Sequence, residues 1–275
     1  MPDNPNFDPD AFREFEHVGW NRLYRGYHDH WEHLTTQAIP RMLDETGVAD
    51  GMDVLDVASG PGYISGAAAE RGARTVGLDI SENMVQLAAE NYPGLRFQPG
   101  DAEDLPFPDR RFDVVLINFG ILHFPNADKG LSEAHRVLKP GGRLGFTAWS
   151  GPKNSAIGIA MAAIEKEGTL EVDLPPGTPV FRFADHGECN RVLGGIGFTD
   201  VACTDIRLTW RLPGPDYLMP HFRDATVRTS GLIDAQDPAV LPVIAAAMTE
   251  ACKPYDKDGH TDLPMPANMA IGTKT

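Results

Sequence analysis

The chain contains no run of 18 consecutive apolar residues, so nothing in it reads as a membrane-spanning helix. Cysteine is scarce. Cys189, Cys203 and Cys252 are scattered, and no C-x-x-C pair occurs. This argues against a disulfide framework or a zinc site and suits a reducing compartment. Basic residues are outnumbered, with 24 Lys and Arg against 39 Asp and Glu and a formal net charge of −15. That balance argues against an extended nucleic-acid surface. The opening stretch, MPDNPNFDPDAFREFE, lacks the basic and apolar regions of a signal peptide, so a cytoplasmic location is expected. No internal repeat or low-complexity tract is present. The 275 residues, 42% hydrophobic and 23% charged, suit one large domain or a domain with insertions.

The most informative stretch is VLDVASGPG at residues 54–62. An apolar strand pattern from Met52 to Val57 runs into a turn of small residues, Ala58, Ser59, Gly60, Pro61 and Gly62, and a helix is expected from about Tyr63. Small residues let backbone approach a ligand closely. In open α/β sheets ligands bind outside the carboxyl ends of the strands. The glycines at 60, 62 and 66 are spaced G-x-G-x-x-x-G, which is not the dinucleotide fingerprint. Two further strand patterns end in acids. Ala73–Leu78 is followed by Asp79, whose carboxylate can accept both hydroxyls of a ribose. Leu95–Gln98 is followed by Gly100-Asp101-Ala102, where the acid can take an adenine amino proton and the Ala102 N–H can donate to the ring. Either acid alone also reads as a plain strand-end or N-cap residue. The turn and both acids together, in order along one sheet edge, indicate a nucleoside-like ligand.

These segments resemble a class I S-adenosylmethionine-dependent methyltransferase of the ubiquinone/menaquinone-biosynthesis type. Four blocks carry the resemblance: VLDVASGPG at 54–62, VGLDISENMVQLA at 76–88, GDAEDLPFPDRRFDVVLINFGILHF at 100–124 and HRVLKPGGRLGFTAW at 135–149. It is strong over residues 45–150. Ala58 stands where many relatives have Gly; Ala fits there if the position is not at positive φ, and it is not read as loss of binding. The resemblance implies an α/β fold, a Rossmann-like, seven-stranded, mostly parallel sheet with helices on both faces. It also implies S-adenosyl-L-methionine as cofactor. Ala58, Ser59, Gly60 and Gly62 would cradle its methionine part. Asp79 would hold the ribose, with Ile80 and Met84 packing near the adenine. Asp101 and Ala102 would read the adenine edge, and Asn118 and Phe119 would contact the donor near its sulfur. From the helical arm before the first strand, Tyr27, Trp31 and Thr35 would cover the methionine end. Asp56 is expected to order the turn through backbone N–H groups.

Along the chain, one domain is expected, with an N-terminal helical arm (1–46) and a cofactor-binding core (47–150). Helical cover insertions are expected at 151–182 and 210–262, and remaining core at 183–209 and 263–275. Helices are expected at Glu82–Asn91, Asn126–Leu138 and Asp185–Gly194 and strands at Asp113–Asn118, Arg143–Trp149 and Thr199–Thr209, with Lys139-Pro140-Gly141-Gly142 as a turn. A last strand, Ala267–Lys274, would lie antiparallel beside the fifth.

His28, His30 and His33 cluster on the arm, but with no Cys nearby they read as packing rather than a metal site, and no metal is expected. His123, just past Asn118, is the candidate general base toward a phenol or hydroxyl, against a structural role in its loop. His221 is a weaker candidate. Phe181, Phe183, Trp210, Tyr217, Met219, Phe222 and Met265 could line a pocket for a hydrophobic or aromatic acceptor, or form the cover's own core.

The leading reading is therefore methyl transfer to a small hydrophobic or aromatic molecule, with no nucleic-acid partner and with a homodimer compatible with it. Three alternatives remain: a cofactor-binding scaffold without transfer, another reaction such as cyclisation in the cover pocket, and a nicotinamide-dependent oxidoreductase. The glycine spacing and the lack of a Tyr-x-x-x-Lys pair weigh against the oxidoreductase. RNA or protein methylation is disfavoured by the acidic charge and by Asn118-Phe119-Gly120-Ile121, which has no proline.

Overall fold

Asp8 caps the first helix, its carboxylate accepting from the N–H groups of Asp10 and Ala11, and Pro9 fits the first helical position. The computed structural model describes residues 7–275; the first six residues of the expected arm lie outside the described residues. The arm consists of α1 (Pro9–Thr35), a 3-10 turn and α2 (Ile39–Thr46). The chain continues through β1 (Asp53–Val57), α3 (Tyr63–Glu70), β2 (Arg74–Asp79), α4 (Glu82–Asn91), β3 (Arg96–Pro99), β4 (Phe112–Asn118), α5 (Ala127–Val137) and β5 (Leu138–Trp149). Next come α6 (Ala156–Glu167), α7 (His186–Ile196), β6 (Phe198–Ile206), β7 (Thr209–Leu212), α8 (Leu218–Ala225), α9 (Val227–Asp234) and α10 (Leu241–Cys252). The chain closes with β8 (Asp256–Lys257), β9 (His260–Pro264) and β10 (Ala267–Lys274).

Seven strands form one sheet in the order β3-β2-β1-β4-β5-β10-β6, with β10 antiparallel to both its neighbours. The order reverses between β1 and β4, where an α/β sheet opens its ligand crevice. The apolar run of β4 follows from burial on both faces: Val114 and Leu116 join one core, Val115 and Ile117 the other. A second, three-stranded sheet has the order β7-β9-β8.

The arm crosses α8 and α9 at close range because two glycines sit at the crossing. A Cβ on Gly19 would lie 2.3 Å from Val227 Cγ1, and one on Gly26 would lie 1.9 Å from the Asp224 carbonyl oxygen. Trp31 packs against Trp210, ring centroids 4.6 Å apart, and Trp210 Nε1–H donates to His30 O.

Two expectations need correction. Lys139–Gly142 does not merely turn; β5 begins at Leu138 and absorbs these residues as an irregularity in its pairing with β4, with Gly141 at φ 78°. The strand expected at Thr199–Thr209 is two strands. β6 ends at Ile206, and Thr209 starts β7 in the other sheet. The segment 210–262 is mainly helical, with the short strands β7, β8 and β9 framing its helices. The segment 151–182 likewise contains a helix, the 12-residue α6, capped by Ser155.

Candidate active site

The turn after β1 is built by competition between backbone donors and a buried acid. Asp79 closes β2, and its two carboxylate oxygens accept from Gly60 N (2.8 Å) and Ser81 N (2.9 Å). Each oxygen retains a further lone pair. Burial pushes this carboxyl above its usual range, against the pull of the Ser81, Gly60 and Ile80 N–H groups. Asp56, next to the carboxyl end of β1, accepts from Ser65 N (3.1 Å) and Ser65 Oγ (2.9 Å), so it anchors the first turn of α3 rather than the loop itself. Its burial raises it to about 7.

Ala58 has φ 53°, in the left-handed region. The expectation that Ala suits a negative φ here is overturned. The position carries the strain that Gly would avoid, about 1–2 kcal/mol. Gly60 also has positive φ, and a Cβ there would find nothing nearer than Tyr27 Cε1 at 4.0 Å, so the turn faces open space toward the arm. Ser59 Oγ is buried without a partner. Gly62 is not part of this opening. It starts α3 at φ 87°, and a Cβ would strike the Phe97 ring at 2.8 Å, so its role is packing behind the turn.

A cavity of about 470 Å³ collects these groups. Ala58, Ser59 and Gly60 line it after β1, Asp79, Ile80 and Met84 after β2, Asp101 and Ala102 after β3, and Asn118, Phe119 and His123 after β4. Tyr27, Trp31 and Thr35 border it from α1. Fourteen of the fifteen residues expected at the site therefore meet around one space; Gly62 does not. Several are held by one another. Asn118 Nδ2 donates to Thr35 O (3.1 Å), and its Oδ1 accepts from Thr147 Oγ1 (2.8 Å), which fastens the end of α1 to the sheet. Phe119, at φ 57°, stacks on Trp149 with centroids 4.0 Å apart. Burial pushes the Tyr27 phenol up to about 12, keeping it neutral.

Three arm residues absent from the sequence-based expectation complete this wall. The Arg13 guanidinium lies over the adenine-side acids, with Nε 2.9 Å from Asp101 and Nη2 3.1 Å from Glu103. The Nε–H is not aimed at a hydrogen-bond acceptor, so its approach to Asp101 is electrostatic. Glu16 is 2% exposed, and its Oε2 lies 3.0 Å from His123 Nδ1. Trp20 meets the His123 ring edge-on at 5.0 Å. A readable signal for Glu16 existed: it lies in the apolar stripe Phe12, Trp20, Leu23, Tyr27, Trp31 of α1, where a lone carboxylate requires a partner.

The arm histidines take three separate partners. His28 Nδ1 pairs with Tyr63 OH (2.7 Å), His33 Nε2 with Arg211 O (2.9 Å), and His30 packs against His221 in a tilted pair, centroids 4.0 Å apart. Among the described residues no group of three His, Cys, Asp or Glu could hold a metal ion. His221 lies outside the cavity lining, packed against His30 and Trp210, and burial lowers it to about 4. Of the seven cover aromatics and methionines expected to line a pocket, Phe181 and Phe222 alone reach the cavity, where Met161 of α6 joins them. Trp210, Met219 and Met265 are core, Phe183 borders a second cavity, and Tyr217 is exposed.

Residues 55–146 match the family model described as a methyltransferase domain. The chain is 44% identical over 90 residues to the demethylmenaquinone methyltransferase of Chlorobaculum tepidum, covering 32% of this chain and 37% of that one. It is 39% identical over 125 residues to the demethylmenaquinone methyltransferase of Clavibacter sepedonicus, covering 44% and 48%. The chain thus spans less than half the length of these curated relatives. The solved phosphoethanolamine N-methyltransferase 2 of Haemonchus contortus, in complex with S-adenosyl-L-methionine, shares the fold with a TM-score of 0.57 at 19% identity, over 96% of this chain and 60% of that one. The [4+2]-cyclase SpnF shares it with a TM-score of 0.52 at 22% identity, over 87% and 80%. Residues 55–146 therefore carry a methyltransferase domain on the fold that these solved structures share.

Proposed function

We propose that the protein transfers a methyl group from S-adenosyl-L-methionine to a small acceptor with a hydrophobic or aromatic body. The observation that carries this reading is the single cavity in which the ends of four adjacent strands present a small-residue turn, two acids and an amide opposite an apolar cover. The residues suit the donor. Gly60 opens toward the arm, and both Asp79 oxygens keep free lone pairs for a ribose diol. In this reading Ala58–Gly60 hold the methionine part, Asp101 and Ala102 the adenine edge, and Ile80 and Met84 its face. Tyr27, Trp31, Thr35, Asn118 and Phe119 surround the sulfur side. When bound, the donor supplies a methyl on a cationic sulfur that is already a good leaving group.

What remains for the chain is alignment, exclusion of water and proton transfer. Alignment of two reactants can lower a barrier by about 7–11 kcal/mol. The arm helps by roofing the strand ends with Trp20, Tyr27 and Trp31. Proton transfer falls to His123. With Nδ1–H donated to the Glu16 carboxylate, Nε2 carries the ring's free lone pair and can take a proton from a hydroxyl acceptor.

Calorimetric titration with S-adenosylmethionine, with NADH in parallel, tests the reading. Micromolar binding of the former alone is expected. Asp79→Ala should weaken it at least about tenfold, since a hydrogen bond to a charged group contributes about 1.5–3 kcal/mol. Unchanged affinity in a folded Asp79→Ala protein would refute the site assignment.

A further inference from the structure

The cavity extends beyond the strand ends into a cover compartment lined by Leu170, Val172, Leu174, Phe181, Phe222 and Leu232. One cation stands in this apolar wall: Arg228, from the first turn of α9. It is half-buried, and burial pulls its guanidinium below the usual value. Its Nη1–H donates to the Pro175 carbonyl at 2.7 Å. Its guanidinium lies against Gly177, where a Cβ would stand 3.0 Å from Cζ, Nε and Nη1. Among the described residues no carboxylate lies within ion-pair distance of it. Glu16, the one acid whose charge reaches it, is already engaged by His123 Nδ1.

The contrast with the other arginines at these cavities is informative. Arg13 carries Asp10, Asp101 and Glu103. Arg182 and Arg191, beside the second cavity, share Glu188, and Arg182 also carries Asp128. All three are paired by the protein itself. A guanidinium taken partly out of water with only a backbone carbonyl as partner is costly to keep. Its planar fork matches a carboxylate, which it binds through two parallel N–H donors.

Resting on the methyl-transfer reading above, we propose that the acceptor is an amphiphilic anion, an apolar body bearing a carboxylate, and that Arg228 receives that carboxylate in the cover compartment. The apolar residues from 170 to 181 and Leu232 then take the body. The proposal names a specificity-determining residue on an element distant in sequence from the cofactor blocks.

Octanoate and 1-octanol serve as matched probes, since they share a chain and differ in the anion. Their binding is followed at pH 8 by the fluorescence of Trp20, Trp31 and Trp149, which line the cavity. Wild type should bind octanoate at least about tenfold more tightly than 1-octanol, the discrimination of one charge-assisted bidentate pair. Arg228→Met should erase the preference by weakening octanoate alone, and Arg228→Lys should restore part of it. S-adenosylmethionine affinity should be unchanged in both variants. Equal affinity for the two probes in wild type, or no binding of octanoate, overturns the proposal. So does equal weakening of both probes by Arg228→Met, which would mark Arg228 as a staple for the loop at Pro175. Octanoate preference without S-adenosylmethionine binding would instead sink the methyl-transfer reading and keep the anion site.

Discussion

Ala58 and Gly120 face each other across the mouth of the site, and their packing makes a quantitative prediction. Ala58 sits at φ 53°, where an L-residue is strained, and its methyl points at Gly120. A Cβ on Gly120 would lie 2.5 Å from Ala58 Cβ and 3.2 Å from Ile117 Cγ2. Gly120 itself is at φ −82°, ψ −30°, which any residue adopts, so its small size serves the contact and not the backbone. For Ala58→Gly, relief of about 1–2 kcal/mol of strain is offset by about 0.4–1 kcal/mol of extra freedom in the unfolded chain. The net change should be neutral to slightly stabilising. Gly120→Ala alone overpacks the contact and should cost about 1–3 kcal/mol. In the Ala58→Gly background the 2.5 Å collision is gone and only the Ile117 methyl remains, so the cost should nearly vanish. The two changes should therefore couple by about 1–2 kcal/mol, within the range for residues in contact. Urea unfolding of the four proteins measures this directly. Additivity within about 0.5 kcal/mol would refute the idea that the two residues share one space.

Two further predictions concern buried acids. Asp56 titrates near 7 in the folded protein against its usual 3.8, because burial disfavours its charged form. The folded state thus holds its proton where the unfolded chain has lost it, and stability falls with rising pH between about 4 and 7, by about 1.4 kcal/mol per pH unit. Asp56→Asn keeps an acceptor for Ser65 and removes that slope, so its stability relative to wild type should improve by about 3 kcal/mol from pH 5 to pH 8. An equal difference at both pH values in urea unfolding would show that Asp56 does not titrate there. At the other wall, His123→Ala should lower turnover at saturating acceptor by about 10²–10⁴-fold. Glu16→Gln should lower it less, and the double variant no more than His123→Ala. Undiminished turnover in His123→Ala would leave the pair with a structural role only.

The parts of the site legible in the sequence are those whose geometry is set within a few residues. A strand that ends in Asp79, followed by Ser81 as the cap of α4, dictates its own shape, and the Ser81 N–H bond to Asp79 closes it locally. The antiparallel strand Ala267–Lys274 was equally legible, since burial on both faces leaves Met269–Gly272 an unbroken run of apolar and small residues. The φ of Ala58 was not, because it depends on the carboxyl end of β1 meeting Asp79 and Gly120 from other strands. Gly62 misled for a similar reason: only the Phe97 ring behind it shows that its missing side chain serves packing. The cover resisted reading throughout. Its aromatic residues look alike in sequence, and whether each faces the cavity or the core depends on how α8, β7 and β9 stack.

Arg228 and Glu16 illustrate what such stacking adds. Neither belongs to the cofactor blocks, and they are separated by most of the chain, yet both reach one cavity because α1 is pressed onto α8 and α9. The contacts that bring them there are the bare α-carbon of Gly19 against Val227 and that of Gly26 against the Asp224 carbonyl. Val227 immediately precedes Arg228, so the glycine that lets the arm approach α9 also sets the distance between the cover cation and the Glu16–His123 pair. The arm is therefore a shared wall. Its Arg13 end meets the strand-end acids, and its middle meets the cover. A change in how α1 seats on α9 should then alter acceptor selection and cofactor affinity together, whereas a change within α9 at Arg228 should alter acceptor selection alone.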